Sequence, residues 1–417
     1  MIEGSSISAV PALPGLDGTP PAGTWAASLL PPSSTRVTSS AIRELLAVTA
    51  RPDVISLAGG LPDERALPSD WLAECAATVL TGPGCLQYST TEGDPALRSS
   101  IARWETAWTS RPTSADDVLI TTGSQQALDL LCRTLLEPGD RVVVEDPAYV
   151  GAVQALRAAG AVLDVVAQDR EGMRTEELAA RLAAGLRPKL VYVTPTFHNP
   201  AGSTMPEHRR RHLAALADRY GFLIVEDDAY RRLGFGGAPP APVAAYTERA
   251  ARLGTFSKIL SPGLRVGWLT APRPVLSAVT RAKQAADLHT STLAQALVRE
   301  ASADEARLDA HVDRIRTVYR SRAAHLSGAL QAEFGSRLAA SPPAGGMFTW
   351  AWFTDGTDTD TLLAKALAQG VAFVPGRAFS VVGEQRNALR LCFASVPEPA
   401  LTQGVRRLRR AWEAATG

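Results

Sequence analysis

Residues 254–268 read GTFSKILSPGLRVGW, and Lys258 at their centre is one of only four lysines in the chain, with Lys189, Lys283 and Lys365, against 39 arginines. A solvated surface position would take arginine equally well, as the chain does nearly everywhere else. What lysine can do and arginine cannot is shed its proton when desolvated and act as an amine nucleophile. The chemistry to expect at Lys258 is therefore that of a reactive amine held in an apolar turn punctuated by Gly and Ser.

Other segments carry residues that could serve such an amine. FLIVEDDAY (222–230) is a near-continuous apolar run ending in Glu226, Asp227 and Asp228, with Tyr230 just beyond. Ligands of open α/β sheets gather at the carboxyl ends of strands, and Asp227 and Tyr230 are spaced to aim a carboxylate and a phenol into one crevice. The plain alternative is a strand ending in a solvated acidic turn; a metal site would call for a histidine cluster, and none accompanies it, so no metal is expected. TPTFHNPAG (194–202) puts Asn199-Pro200 just after another strand, at the same edge as Asp227, although Asn-Pro by itself often marks only a turn. TTGSQQALDLLCRTLLEPGD (121–140) reads as strand, Gly123 turn, Ser124 in N-cap position and helix. Free N–H groups and the helix dipole make that an anion site; an ordinary capped helix is the competing reading. Arg390 sits in the alternating apolar run ALRLCF, where a guanidinium needs a partner, and a substrate carboxylate gripped bidentately is a natural one.

The elements that must position these residues form a repeating pattern. Strand-like runs fall at 118–122, 141–146, 161–166, 189–195, 222–227 and 251–256, with helical stretches between the first five. Such units build a mostly parallel sheet between helices. The run 265–271 follows too closely for a crossover helix, so it is expected antiparallel. The fold class is thus α/β: a large domain with a seven-stranded mixed sheet containing one antiparallel strand, plus a smaller α+β domain. The smaller domain is expected from MFTWAWF, VAFVPG and ALRLCFA, after a long helical region at 273–333. The domain limits read as a Pro-rich arm at 1–35, a segment at 36–75 joining the small domain and a dimer site, a large domain at 76–310 and a small one at 311–417. The first convincing helix spans 39–50, with Ser at its start and Ile42, Leu45 and Leu46 on one face.

Bulk properties set outer bounds. With 417 residues, 46% hydrophobic, 20% charged and a net charge of +1, the chain is enzyme-sized and globular in composition. The charge balance argues against a nucleic-acid or membrane surface as its main business. Cys75, Cys85, Cys132 and Cys392 form no CxxC pair and read as buried thiols of a reducing compartment. No basic residue precedes Arg36 and no apolar run is long enough to span a bilayer, so a cytoplasmic location is expected. The Arg and Ala bias points to a GC-rich bacterial genome.

Together, the order and spacing of GSQQ, EDPAY, NPAG, DDAY, FSK, Arg265 and Arg390 resemble the fold-type I pyridoxal-phosphate aminotransferases of class I/II. The 2-aminoadipate and kynurenine aminotransferase branch and the catalytic domain of MocR-type regulators are the nearest match. Phrases such as SLAGGLPDE, LQYSTTEGDPALR, PTFHNPAG, HTSTLAQ, GGMF and VAFVPG extend the likeness from about residue 36 to the C-terminus. The resemblance implies pyridoxal 5′-phosphate as cofactor, joined to Lys258, which then moves the substrate Cα proton. Asp227 would bond the pyridine nitrogen, Tyr230 and Asn199 the ring hydroxyl oxygen, and Tyr149 would stack on the ring. Ser124, Gln125, Ser257 and Arg265 would hold the phosphate, joined by Tyr88 from a second subunit of a homodimer. Arg390, assisted by Asn199, would hold the substrate carboxylate, while Ser40, Arg43 and Gly60 would shape the side-chain pocket. Three features depart from the family pattern: His198 stands where a Gln is usual, Ala201 where a Thr is usual, and the Pro-rich arm is extra.

The implied activity is transfer of an amino group from an L-amino acid to a 2-oxo acid, with 2-oxoglutarate the expected acceptor, in a ping-pong sequence. The alternative keeps the cofactor but eliminates, replaces or cyclises at Cβ or Cγ in a natural-product pathway. A MocR-type regulator would need a basic winged-helix domain ahead of the fold; residues 1–35 are too few and contain no Lys or Arg.

Overall fold

The computed structural model describes residues 27–36 and 53–416. The helix expected at 39–50, and with it Ser40 and Arg43, lies outside the described residues.

In chain order, a short strand β1 (Ile55–Ser56) precedes helices α1 (Ser69–Thr81) and α2 (Pro95–Thr109). The start of α2 is written in its sequence: Asp94 accepts the Leu97 N–H as N-cap and Pro95 occupies the first turn, where its missing N–H costs nothing. The alternating region follows as β2 (Val118–Thr121), α3 (Ser124–Leu135), β3 (Arg141–Asp146), α4 (Val150–Ala158), β4 (Val162–Asp169), β5 (Gly172–Met173), α5 (Thr175–Ala183), β6 (Leu190–Val193), α6 (Glu207–Tyr220), β7 (Leu223–Asp227), β8 (Ala250–Thr255) and β9 (Gly267–Thr270). Three helices come next, α7 (Arg273–Asp287), α8 (Thr292–Ala303) and the 30-residue α9 (Glu305–Phe334). The C-terminal part holds β10 (Leu338–Ala340), β11 (Phe348–Phe353), α10 (Thr359–Ala368), β12 (Val371–Ala372), β13 (Val374–Pro375), β14 (Ala388–Cys392) and α11 (Glu398–Thr416).

The large sheet runs β2-β9-β8-β7-β6-β3-β4-β5. Pairs among β8, β7, β6, β3 and β4 are parallel, and β9 runs antiparallel to both β8 and β2. The seven expected strands are all present with the one reversal where the short connection demanded it. An eighth strand extends the edge and adds a second reversal to the single one expected: β5 runs antiparallel to β4, pairing Gln168 with Met173 and Asp169 with Gly172. Two residues are too few to leave a period-2 signal in the sequence.

Successive side chains of each strand alternate between two helical layers. On one face Val142, Val144, Tyr192, Val225 and Leu253 pack with Leu128 and Leu131 of α3. On the other, Val143, Val191, Val193 and Ile224 pack with Leu213 and Ala217 of α6. The smaller α+β unit is an antiparallel sheet, β10-β11-β14-β13, against which α9 and α11 bury Leu326, Leu330, Leu408 and Trp412. The chain before α1 is stitched into this unit: Ile55 of β1 lies opposite Val371 of β12 in parallel register, and the Cys392 N–H reaches Leu57 O at 2.8 Å. Residues 57–61 are thereby laid over the carboxyl ends of the central strands. Among the described residues no helix is long and apolar enough to cross a membrane. All four cysteines are free and buried.

Candidate active site

Where residues 57–61 meet the strand ends, a cavity of about 330 Å³ is lined by Gly60, Ser124, Gln125, Tyr149, Asn199, Asp227, Tyr230, Ser257, Lys258, Arg265 and Arg390. These are eleven of the fourteen residues singled out from the sequence. A larger cleft of about 630 Å³ opens between Thr90, Arg273 and Thr280, but no lysine, histidine or buried carboxylate lines it. The smaller cavity is the one with reactive groups.

Its floor is the carboxyl end of β7. Asp227 is 7% exposed, and its Oδ2 accepts a 2.8 Å hydrogen bond from the Tyr192 hydroxyl. Its Oδ1 is buried without a partner. Burial pushes the Asp227 carboxyl up to about 6; the Tyr192 hydrogen bond works against that shift and the neighbouring Asp228 charge adds to it. A buried oxygen left open at a cavity floor is costly unless something is meant to bind there.

Lys258 follows β8 in a turn pinned by buried Phe256, Ile259 and Leu260, so its own side chain is the one turned into the cavity. Its Nζ donates to the Gly60 carbonyl at 3.4 Å. Burial pushes the amine down to about 8, aided by the Arg265 and Arg390 guanidiniums and opposed by Cys392 and Asp227. About a tenth of the molecules then carry a neutral amine at pH 7.

The anion cradle is built by close backbone approach. Gly123 (φ +79°) is the N-cap of α3 with no side-chain cap; Ser124, expected there, is instead the first helical residue. A Cβ on Gly123 would lie 2.6 Å from the Arg265 guanidinium, and one on Gly267 would lie 2.7 Å from the Ser124 nitrogen. The positive φ at 123 and the backbone atoms facing 267 require glycine at both positions, and their contact sets Arg265 beside the first turn of α3. The N–H groups of Ser124 and Gln125 have no partner within the helix at that position. Beside them, Thr255 Oγ1 donates to Ser257 Oγ at 2.9 Å. The Gln125 side chain is engaged elsewhere: it donates to Gly151 O at 3.0 Å and accepts the Tyr149 hydroxyl at 3.2 Å, so only its backbone faces the cradle. Burial pushes the Tyr149 phenol up to about 12, with the Asp227 charge adding to the effect.

Arg390, on β14, donates to Asn199 Oδ1 at 2.9 Å and to Ala58 O at 2.7 Å. Its guanidinium lies 4.2 Å and 4.9 Å from the ring centroids of Phe348 and Phe379, and its buried Nε has no partner. Tyr230 packs edge-on against Phe348, and burial lifts its phenol well above the ordinary range. His198 is 1% exposed and sits behind the cavity. Its Nδ1 accepts the Ala201 N–H at 3.1 Å and its Nε2 lies 3.2 Å from Glu145. Tyr88 is not in the cavity of this chain; it is 79% exposed, with its ring edge-on to His289.

Sequence reasoning missed Tyr192, Thr194, Thr255 and Phe348. A tyrosine in KLVYVTP reads simply as a good strand former; only the pairing of Tyr192 with Val225, two residues before Asp227 on the same face, brings its hydroxyl to the carboxylate.

A buried lysine, a carboxylate oxygen without a partner and the first turn of a helix thus meet in one cavity of a layered α/β fold, as a pyridoxal-phosphate enzyme of fold type I would require. Residues 52–408 match the family model described as aminotransferase class I and II, and the chain belongs to that family. It is 41% identical over 378 residues to aromatic-amino-acid aminotransferase 1 of Thermococcus litoralis, covering 89% of this chain and 90% of that one. The solved alpha-aminoadipate aminotransferase of Thermus thermophilus, complexed with N-(5′-phosphopyridoxyl)-L-leucine, superposes with a TM-score of 0.86 at 38% identity, covering 94% of this chain and 98% of that one. The kynurenine aminotransferase of Pyrococcus horikoshii, solved with PMP, gives a TM-score of 0.89 at 36% identity over the same shares. The chain is an aminotransferase and its cofactor is pyridoxal 5′-phosphate.

Proposed function

We propose that this aminotransferase takes the amino group from an L-amino acid with an aromatic or long side chain and passes it to a 2-oxo acid, 2-oxoglutarate foremost, in two successive half-reactions. The observation that carries the reading is that Lys258 Nζ, the open Asp227 Oδ1 and the clamped Arg390 guanidinium share one cavity. The residues fit the cofactor. The unpartnered Asp227 Oδ1 suits a protonated pyridine nitrogen, and the cradle of Ser124, Gln125, Ser257 and Arg265 suits a phosphate. Tyr149 would cover the ring face, and Asn199 and Tyr230 would reach its hydroxyl oxygen.

Pyridoxal phosphate supplies the electron sink that stabilises the carbanion left when the substrate loses its Cα proton. Lys258 would hold the cofactor through its amine, and the same amine, when free, would take and return the substrate Cα proton. Arg390 and Asn199 grip the α-carboxylate, and the two phenyl rings keep the guanidinium dry and fixed, which strengthens a charged bidentate pair. Gly60 leaves room beside Phe348, where a Cβ would already touch the ring at 3.4 Å. The activities for which the relatives are named and the apolar lining by Leu61, Pro262 and Phe348 support the substrate class; Ser40 and Arg43 are proposed to meet the distal end of the side chain. We place the enzyme in the cytoplasm of a bacterium, as a homodimer in which Tyr88 serves the partner's phosphate. Its exposure, with that of Leu61 and Leu86, supports a covered face.

The test is a half-reaction screen. Holoenzyme mixed with single amino acids should lose its yellow colour to the pyridoxamine form with aromatic substrates and 2-aminoadipate, and 2-oxoglutarate should restore it. Lys258→Ala should show neither change. If no amino acid of the panel converts the cofactor, the reading fails.

A further inference from the structure

Two of the four lysines lie at the surface, Lys189 bonded to Asp140 and Lys365 to the Ala414 carbonyl. Lys283 has no such explanation. It is 0% exposed, on the inner face of α7 with Leu276 and Val279, and it takes no part in the cavity. Its Nζ meets Gln126 Oε1 at 2.9 Å and the two Asp287 carboxylate oxygens at 2.8 and 2.9 Å. An ammonium has three donors and no acceptor, and three acceptors converge on this one.

The cluster continues to the anion cradle. Gln126 Oε1 also accepts the Thr122 N–H at 2.7 Å, and Gln126 Nε2 donates to Asp287 Oδ2 at 2.6 Å. The Thr122 hydroxyl donates to the same Asp287 oxygen at 3.2 Å. Residues on either side of Gly123 are thus tied to the end of α7. Beyond Asp287 the backbone enters a γ-turn centred on Leu288 (φ 63°, ψ −57°), closed by the His289 N–H on Asp287 O at 2.7 Å. That conformation is strained for a non-glycine residue and persists only where its surroundings fix it.

We propose that Lys283 is a positioning residue for the cofactor phosphate. It sets the 122–126 turn through Gln126 and cancels the Asp287 charge that would otherwise lie behind the cradle. The inference rests on the placement of the phosphate at Ser124 and Arg265. A neutral residue at 283 would leave an uncompensated carboxylate facing the same turn that must accept a phosphate dianion.

The experiment measures binding of pyridoxal phosphate and of pyridoxal, which lacks the phosphate, to the apoenzymes by equilibrium dialysis. Lys283→Met is expected to weaken pyridoxal phosphate at least about tenfold and to leave pyridoxal within about twofold. Gln126→Met, at a half-buried position, carries the same test if the lysine variant does not fold, with a smaller loss confined again to the phosphorylated ligand. Equal losses for both ligands, or no loss in a folded variant, would overturn the proposal. Arg265→Leu separates the role of Lys283 from the phosphate placement beneath it. If that variant does not weaken pyridoxal phosphate relative to pyridoxal, the phosphate placement is wrong and the inference falls with it. If it does and Lys283→Met does not, the role of Lys283 alone is wrong.

Discussion

Asp227→Asn should stabilise the apoenzyme while crippling the enzyme. The carboxyl is held at about 6 by burial against an ordinary value of 3.8, a shift of about two units or roughly 3 kcal/mol. The sign follows from proton binding: between pH 4 and 6 the folded chain holds this proton and the unfolded chain does not, so stability falls as pH rises through that window. Above about pH 6 the whole penalty is in place, and below about pH 4 it is absent. Asparagine keeps an acceptor for the Tyr192 hydroxyl at 2.8 Å and carries no charge to desolvate. Urea unfolding of the two apoenzymes should therefore separate them by about 3 kcal/mol at pH 7.5 and by roughly half that at pH 5. The same variant should lose about 10²–10³ in kcat, the usual scale for removing one preorganised electrostatic group, because a neutral amide cannot keep the pyridine nitrogen protonated. A variant no more stable than wild type at pH 7.5, or a gap independent of pH, would refute the reasoning.

Three further outcomes are expected. Lys258 sits at about 8, so the neutral amine grows with pH: the rate at which apoenzyme takes up pyridoxal phosphate should rise about tenfold from pH 6 to 7 and level off above about 8, and a flat stopped-flow profile would count against it. Arg390→Ala should raise KM for amino acids by about 10–100-fold, the loss of charged hydrogen bonds worth about 1.5–3 kcal/mol; an unchanged KM would place the carboxylate elsewhere. Arg252→Met should destabilise the fold by about 3–5 kcal/mol, since it strands buried carboxylates, and an unchanged thermal midpoint would show that the ion network behind the site is inert.

The cavity was legible in the sequence because α/β geometry does the assembling. Once 190–193, 223–227 and 250–255 are parallel neighbours, whatever follows their carboxyl ends must meet, so Asn199, Asp227 and Lys258 needed only correct strand assignments. What escaped were relations that depend on register or on distant elements. The Tyr192 bond to Asp227 is set by strand pairing, and the rings flanking Arg390 come from Phe348 and Phe379, neither of which any local pattern links to it. Gly123 displaced Ser124 as N-cap for a similar reason: the approach of Arg265 and Gly267, far along the chain, decides what fits there.

The acidic end of FLIVEDDAY shows how far the two levels of reading differ. As sequence, Glu226, Asp227 and Asp228 could be a solvated turn, yet all three are buried. Strand alternation sends Asp227 to the cavity and its two neighbours to the opposite face. There Arg252 bonds Asp228 at 2.6 Å, approaches Glu226 at 3.4 Å and pairs with Glu105, while Arg231 lies 3.5 Å from Asp228. The back face is thus compensated charge by charge. On the front face Asp227 accepts from the neutral Tyr192 hydroxyl, and among the described residues no guanidinium pairs with it. The contrast in charge separates carboxylates paired with arginine within the fold from one that is not, and supports the proposal that Asp227 is kept for a cation the fold itself does not provide. On the function proposed above that cation is the protonated ring of the cofactor, and the penalty expected in the apoenzyme would measure how strongly the fold is biased toward receiving it.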